Sequence, residues 1–142
     1  MTSGSRVTIN CDGAARGNPG PAGAGAVVVA EDGTVLAEVA EGLGETTNNV
    51  AEYTAVIRGL EEAQRLGASE VLLRSDSQLL INQLTGRYRV KAPHLQPLYR
   101  QVRDLLRSFD RVDLEHVPRE RNVAADALAN LGVDRWLADG RP

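Results

Sequence analysis

The spacing of the apolar residues first changes at Thr47, and this change restricts the fold more than any other feature. Before Thr47 the apolar residues alternate as in half-buried β-strands. Strands are predicted there at 6–11, 25–30 and about 34–43, with a turn at 31–33. From Thr47 to residue 66 the apolar residues recur at helical spacing, and Gly67 is suited to end that helix. The chain is therefore predicted to begin with antiparallel strands and to continue into a long helix.

Strands and helices alternate in the rest of the sequence. Asn122 is predicted to cap the last helix and Gly132 to break it. Strands are predicted at 70–75 and 111–117, and helices at 76–84, 95–108 and 123–131. A crossover helix usually makes the strands that it connects parallel, so the fourth strand should lie beside the first. We predict an α/β fold with a five-stranded mixed sheet, in which strands 1–3 are antiparallel, strands 1, 4 and 5 are parallel, and helices pack on the sheet.

The composition is that of an ordinary globular domain. Of the 142 residues 42% are hydrophobic and 25% are charged, so a single domain over residues 1–142 can bury a core. No apolar run approaches the roughly 20 residues of a membrane span, and the polar start MTSGS does not resemble a signal peptide. The single cysteine, Cys11, suits a reducing compartment. We expect a cytoplasmic protein with no membrane partner and take it to be a monomer.

The positive charges are concentrated in one segment. The chain has a formal net charge of −3, yet residues 86–111 carry seven basic and two acidic side chains. A basic segment in an acidic chain is typical of a surface that binds a polyanion such as a nucleic acid. The alternative is a solvated helix face, and charge alone does not separate the two.

The segment CDGAARGNPGPAGAG (11–25) combines five glycines with one aspartate. A nucleotide-binding cradle needs its glycines to run from a strand into the start of a helix. Here the glycines run from one strand into another, and no Gly-Lys-Ser/Thr follows. The segment is therefore not predicted to bind a nucleotide. Its glycines are predicted to leave a flat surface beside Asp12 that a large substrate can approach.

Two aspartates follow strands that are predicted to be neighbours. Asp12 comes directly after the first strand and Asp76 directly after the fourth. Parallel neighbours lie about 4.8 Å apart and end at the same edge of the sheet, so the two carboxylates should nearly touch. Taken singly, each aspartate could instead belong to a turn or a helix cap.

Two further acids lie in apolar surroundings. Glu52 lies at the margin of the apolar stripe of its helix, and Asp126 lies one turn into the last helix. The plainer alternatives are a partly exposed acid for Glu52 and a favourable charge near a helix N-terminus for Asp126. If all four carboxylates converge, divalent cations are needed to offset their repulsion. An all-oxygen site without Cys or His at metal spacing favours Mg²⁺ or Mn²⁺.

Four segments resemble, in order and spacing, the signature segments of type 1 ribonuclease H: DGAARGNPGPAG, TTNNVAEYTA, DSQLLINQL and NVAADALAN. The resemblance extends from about residue 6 to residue 131 and implies a single RNase H-like catalytic domain. The implied activity is endonucleolytic hydrolysis of the RNA strand of an RNA–DNA hybrid. In that family two metal ions, Mg²⁺ or Mn²⁺, are bound by four catalytic acids, which here are Asp12, Glu52, Asp76 and Asp126. Asp12 is expected to be shared by both ions, and Asp126, on a helix end that can move, to be the weaker ligand.

The resemblance also implies contacts with the nucleic acid. It places Thr47 on a phosphate and four amide side chains in the minor groove, namely Asn18, Asn48, Asn49 and Gln78. Exposed amides suit a groove that presents base edges and 2′-hydroxyls. Without the resemblance, Asn18 could be a turn residue, and Asn48 or Asn49 a helix cap.

The chain departs from well-studied bacterial members of that family in two places. Those members carry a histidine in a mobile loop before the last helix, whereas here the connection is the short PRERN and His116 falls within a predicted strand. Arg119 or Glu120 is the candidate replacement. The basic protrusion of those members is also shortened here, and its remaining phosphate-binding residues are Arg87, Arg89 and Lys91.

This shorter pattern resembles the archaeal-type subgroup, some of whose members also cut double-stranded RNA. Some relatives fuse the domain to a phosphatase-like one, and the end of this chain is compatible with such a fusion. Two other functions stay open: integrase- or resolvase-like DNA processing, and a non-catalytic hybrid-binding module. The second should have lost at least one of the four acids, and all four are present.

Overall fold

The computed structural model describes residues 5–139. Five strands form one sheet in the order β3-β2-β1-β4-β5, and their bounds are β1 Arg6–Ala15, β2 Gly20–Ala30, β3 Val35–Thr46, β4 Glu70–Ser75 and β5 Arg111–His116. The helices are α1 Asn48–Arg65, α2 Gln78–Leu84, α3 Gln96–Leu106 and α4 Val123–Ala138, and a 3-10 turn spans Arg119–Arg121. β1, β2 and β3 pair antiparallel, whereas β1, β4 and β5 are parallel. The predicted fold class is confirmed; residues 1–4 and 140–142 of the predicted domain lie outside the described residues.

The main core lies between the sheet and α1. The buried face of α1 includes Tyr53, Ile57 and Leu60, which cluster with Ile9 of β1 and Leu73 of β4. Burying an aliphatic or aromatic side chain of this size contributes about 1.5–3 kcal/mol, so α1 is held firmly across the centre of the sheet. Because α1 connects β3 to β4, its position makes β4 the parallel neighbour of β1.

α1 and α4 approach opposite faces of the sheet at the same point. Asp12 and Gly25 are partners across β1 and β2 and therefore point to one face, where a Cβ on Gly25 would overlap the carbonyl oxygen of Ala125 in α4. Gly13 points to the other face, where a Cβ would overlap the backbone nitrogen of Glu52 in α1. Both helices thus lie close to the sheet where Asp12 is placed.

The glycine-rich segment does not play its predicted role. β1 continues to Ala15 and β2 begins at Gly20, so only residues 16–19 form the turn. Most of the glycines lie in paired strands and make room for helices, rather than leaving an open surface for substrate. The full length of these strands was not predicted, because strands of glycine and alanine lack the alternation of apolar and polar residues by which strands are recognised. The predicted open surface beside Asp12 is therefore wrong.

Two of the three glycines that were predicted to end helices do so. Gly67 and Gly86 end α1 and α2 with φ angles of 77° and 86°, as predicted. Gly132 does not break the last helix but lies within α4, where a Cβ would be 2.6 Å from the carbonyl oxygen of Glu41 in β3. Its role is close packing of α4 on the sheet. The helices within residues 5–139 lack the long apolar stretch that a membrane span requires.

Candidate active site

The carboxyl ends of β1 and β4 bring two of the predicted acids together. In the parallel pairing Cys11 lies beside Ser75, so the residues that follow, Asp12 and Asp76, meet at one edge of the sheet. Asp12 is buried, with 6% of its surface exposed, whereas Asp76 is half-buried. Asp12 and Asp76 therefore lie next to each other, as the order of the strands predicts.

α1 adds a third carboxylate to this edge. Glu52 is buried and lies directly over Gly13, which has no side chain to hold the helix away. One carboxylate oxygen from each of Asp12, Glu52 and Asp76 lies within 4.8 Å of the other two. The glycine after Asp12 is thus a requirement for the cluster.

Two serines hold the segment that carries Asp76. The Oγ of Ser75, which is fully buried, accepts a 3.0 Å hydrogen bond from the backbone N–H of Ser77. The Oγ of Ser77 caps α2 by accepting a 3.1 Å hydrogen bond from the backbone N–H of Leu80. A cap of this kind contributes about 1 kcal/mol. Asp76 is therefore fixed where the strand ends and the helix begins.

The fourth predicted acid, Asp126, lies beside the cluster rather than within it. It is half-buried on α4, and its interaction with Asp12 contributes to raising the pKa of that carboxyl. It is not among the three residues whose oxygens lie within 4.8 Å of one another. Three of the four predicted ligands are therefore together, and the fourth lies near Asp12.

Burial and mutual repulsion disfavour the ionised forms of this cluster. Burial, and then the charges of Glu52 and Asp76, raise the pKa of Asp12 to about 9. Burial, and then the charge of Asp76, raise the pKa of Glu52 to about 7, although hydrogen bonds with Gly13, Asp12 and Asn48 oppose this shift. Without a cation, the cluster does not hold its full negative charge at neutral pH.

One buried oxygen of Glu52, Oε2, has no hydrogen-bond partner among residues 5–139. Leaving a buried acceptor unpaired costs about 1–3 kcal/mol, so an atom of this kind commonly indicates a missing ion or water. The oxygens around it form a donor set that suits a hard divalent cation. The residues present therefore fit the metal that the family resemblance implies.

The β1–β2 turn and the start of α1 hold four of the predicted substrate-binding residues. Thr47 is the N-cap of α1, and its Oγ1 accepts a 3.2 Å hydrogen bond from the backbone N–H of Val50. The Oδ1 of Asn18 accepts a 3.0 Å hydrogen bond from the backbone N–H of Asn48. Asn49 is exposed beside them. The turn and the helix start are thus joined into one surface.

The remaining predicted substrate-binding residues lie on either side of the carboxylates. Gln78 is exposed at the start of α2, where its Nε2 donates to the Oδ1 of Asn82 at 3.2 Å. Arg119 lines an open cleft together with Glu52 and Asp76. The basic residues of the α2–α3 connection are exposed and form no ion pair within the described part of the chain; they are Arg87, Arg89 and Lys91.

His116 lies in a strand, as predicted, and not in the connection between β5 and α4. This residue is exposed and is the last of β5, paired in register with Ser75. Glu120 is exposed in the 3-10 turn that replaces a longer loop. Of the two candidate replacements for the loop histidine, only Arg119 lines the cleft of the carboxylates.

Asn122 has a role that the sequence does not reveal. It precedes α4 as predicted, but its side chain makes no cap hydrogen bond. Its Nδ2 instead donates to the carbonyl oxygen of Cys11 at 2.9 Å, and the residue is only 2% exposed. The start of α4 is thereby tied to the residue before Asp12. One sequence feature could have indicated this role: Asn122 is four residues before Asp126, so the two lie on the same face of the helix.

Comparison with known proteins agrees with the fold. The sequence profile of a family described as reverse transcriptase-like matches residues 10–132. A bifunctional protein of Mycobacterium tuberculosis is 51% identical over 130 residues, which cover 91% of this chain and 36% of that protein. The chain therefore spans about a third of the length of this relative.

Two ribonucleases H are also similar. Ribonuclease HI of Halobacterium salinarum is 47% identical over 92% of this chain and 66% of that protein, and the crystal structure of RNase H1 from this halophilic archaeon has a TM-score of 0.88 over 98% of its chain. LC11-RNase H1, solved in complex with an RNA/DNA hybrid, is 43% identical, with a TM-score of 0.87 over 92% of this chain and 99% of that chain. The predicted resemblance, including that to archaeal members, is confirmed. This chain belongs to the ribonuclease H family of hydrolases.

Proposed function

We propose that this chain hydrolyses the RNA strand of RNA–DNA hybrids endonucleolytically, and that the domain over residues 1–142 is catalytic. The observation that carries the proposal is the cluster of the buried Asp12 and Glu52 with the half-buried Asp76, whose oxygens lie within 4.8 Å of one another. It occurs in a chain that is 43% identical to a ribonuclease H1 solved with a hybrid. The family alone would not support the activity, because a non-catalytic relative could keep the fold and lose the acids.

The acids are proposed to hold two divalent cations, Mg²⁺ or Mn²⁺. The ligands would be Asp12, Glu52, Asp76 and Asp126, and the unpaired Oε2 of Glu52 supports the assignment. When bound, such a pair activates water for in-line attack and stabilises the leaving oxygen. Asp12 is near Asp126 and lies in the cluster with Glu52 and Asp76, so it is proposed to be the residue that both ions would share.

Specificity for RNA is proposed to come from the amides. The Oδ1 of Asn18 is occupied by the N–H of Asn48, which leaves the NH₂ group of Asn18 for acceptors in the minor groove. The Nε2 of Gln78 is occupied by Asn82, which leaves its carbonyl oxygen to accept from a 2′-hydroxyl. Asn48 and Asn49 are exposed at the start of α1 and are proposed to join them.

Phosphate contacts are proposed on both sides of the cut. Thr47 uses its oxygen to cap α1, but its hydroxyl hydrogen remains available to a phosphate. Arg119 lines the carboxylate cleft and suits a phosphate next to the reacting one. The exposed cations of the α2–α3 connection would bind the duplex backbone farther away, and these are Arg87, Arg89 and Lys91.

The test is cleavage of labelled RNA–DNA, RNA–RNA and DNA–DNA duplexes, with Mg²⁺, with Mn²⁺ and with a chelator. We expect cation-dependent internal cuts in the RNA strand of the hybrid. Double-stranded RNA offers the same wide minor groove and is the second substrate to examine. Cutting of plain DNA duplex at a similar rate would instead favour DNA processing, and binding without cutting would favour a non-catalytic module.

A further inference from the structure

Asp126 of α4 lies between two asparagines, namely Asn122 at the N-cap, one helical turn before it, and Asn130, one turn after it. Asn122, Asp126 and Asn130 are spaced by four residues and so share one face of the helix. Each asparagine bonds to a group outside the helix, in β1 or in the turn that follows it. The face that carries Asp126 is therefore anchored on both sides of this residue.

The first anchor is buried. Asn122 is 2% exposed, and its Nδ2 donates to the carbonyl oxygen of Cys11 at 2.9 Å. The backbone N–H of Asp126 donates to the carbonyl oxygen of Asn122 at 3.1 Å. One continuous path of hydrogen bonds thus links β1, next to Asp12, with the backbone of Asp126.

The second anchor acts through a polar relay. The Nη2 of Arg16 donates to the Oδ1 of Asn130 at 3.2 Å and also forms a 2.8 Å ion pair with Asp134. Because a guanidinium only donates, it fixes the amide of Asn130 with its oxygen outward. The Nδ2 of Asn130 then faces Asp126 and lies 3.0 Å from its carbonyl oxygen and 3.4 Å from its Oδ1.

We propose that Asn122 and Asn130 are positioning residues that hold Asp126 against Asp12 before any cation binds, with Arg16 orienting Asn130. The inference rests on the proposed function, in which Asp126 is a metal ligand. The sequence predicts a mobile helix end and a weak ligand, but a carboxylate that is already held in place loses less freedom when a cation binds. Partners of metal ligands commonly change metal affinity by 10–100-fold.

Asn130→Ala is the direct test, because Asn130 is half-buried and its removal leaves the fold's core intact. Calorimetric titration of Mn²⁺ into the metal-free variant, without nucleic acid, should show an affinity about tenfold below that of the wild type. Cleavage should need correspondingly more cation, while the KM for hybrid at saturating cation should stay within about twofold. Arg16→Ala should shift the affinity in the same direction.

Asp134→Ala is the matched control. It removes the ion pair with Arg16 but leaves the bonds of Arg16 and Asn130 in place, so its Mn²⁺ affinity should equal that of the wild type. An unchanged affinity in a folded Asn130→Ala protein would overturn the inference. An equal loss in Asp134→Ala would also overturn it, because the turn's attachment alone would then explain the effect.

Asp126→Asn separates this inference from the proposed function. If this variant binds Mn²⁺ weakly while Asn130→Ala binds it normally, Asp126 is a ligand and only the positioning role is refuted. If Asp126→Asn binds Mn²⁺ like the wild type, Asp126 is not a ligand, and the premise of the inference fails. Weak binding by both variants is the expected result.

Discussion

Gly13 and Glu52 are in backbone contact: a Cβ on Gly13 would overlap the amide nitrogen of Glu52. Gly25 has the equivalent relationship with Ala125 on the opposite face of the sheet. These two contacts set the distance of α1 and α4 from Asp12. The carboxylate cluster is therefore positioned by backbone packing, and steric changes at these glycines should act on cation binding.

Gly13→Ala should lower the free energy of unfolding by about 1–3 kcal/mol and weaken Mn²⁺ binding, because α1 must move away from β1. Urea unfolding and calorimetric titration measure the two effects. Gly132→Ala is the control, since a Cβ there would also crowd backbone, 2.6 Å from the carbonyl oxygen of Glu41, but on β3. It should cost similar stability and leave the cation affinity of the folded protein unchanged. Equal losses of affinity in both variants would contradict this account.

Asp76→Asn should abolish cleavage and leave hybrid binding largely intact. The side chain keeps its size but loses the charge that a hard cation needs. Cleavage rates and a binding titration in the presence of Mg²⁺ check the two parts. Glu115→Gln, a similar loss of charge on exposed β5, should cleave normally. A rate near that of the wild type for Asp76→Asn would remove this residue from the metal site.

The metal-free protein should become less stable as the pH rises. The folded-state pKa of Asp12 is raised, so its stabilising contribution is complete below the unfolded pKa of about 3.9 and is lost as the pH rises toward the folded value of about 9. Asp12→Asn cannot ionise and escapes this loss. With chelator present, its Tm should match that of the wild type near pH 4 and exceed it by about 4 °C or more at pH 8.5. A difference that does not widen with pH would contradict the assignment.

Replacing Arg87, Arg89 and Lys91 by alanine should flatten the salt dependence of hybrid binding. Each lost phosphate contact should reduce the slope of log K against log salt by up to roughly 0.7–0.9. The control replaces three exposed arginines that already form ion pairs, namely Arg65, Arg107 and Arg111. Its slope should stay close to that of the wild type. An unchanged slope in the first variant would make the α2–α3 connection an ordinary solvated surface.

The order of strands and the period of the apolar residues were enough to predict the meeting of Asp12 and Asp76, because parallel neighbours end at one edge. The role of the glycines was not predictable in this way. Their function depends on helices that are distant in sequence, and Gly23 or Gly25 gives no local sign of them. The role of Asn122 was not predictable for the same reason, because the sequence does not distinguish a helix-capping asparagine from one that bonds to the backbone of Cys11.

We propose that this chain selects RNA because exposed amides read 2′-hydroxyls, since bound metal ions would meet only phosphate oxygens and could not distinguish RNA from DNA. The most direct measurement uses a duplex in which one strand is DNA except for an island of four ribonucleotides. Mapping the cuts at single-nucleotide resolution, with Mg²⁺ present, should show cleavage only within the island or at its edge. Cuts scattered through the flanking DNA at similar rates would contradict both the ribonuclease activity and the role of the amides.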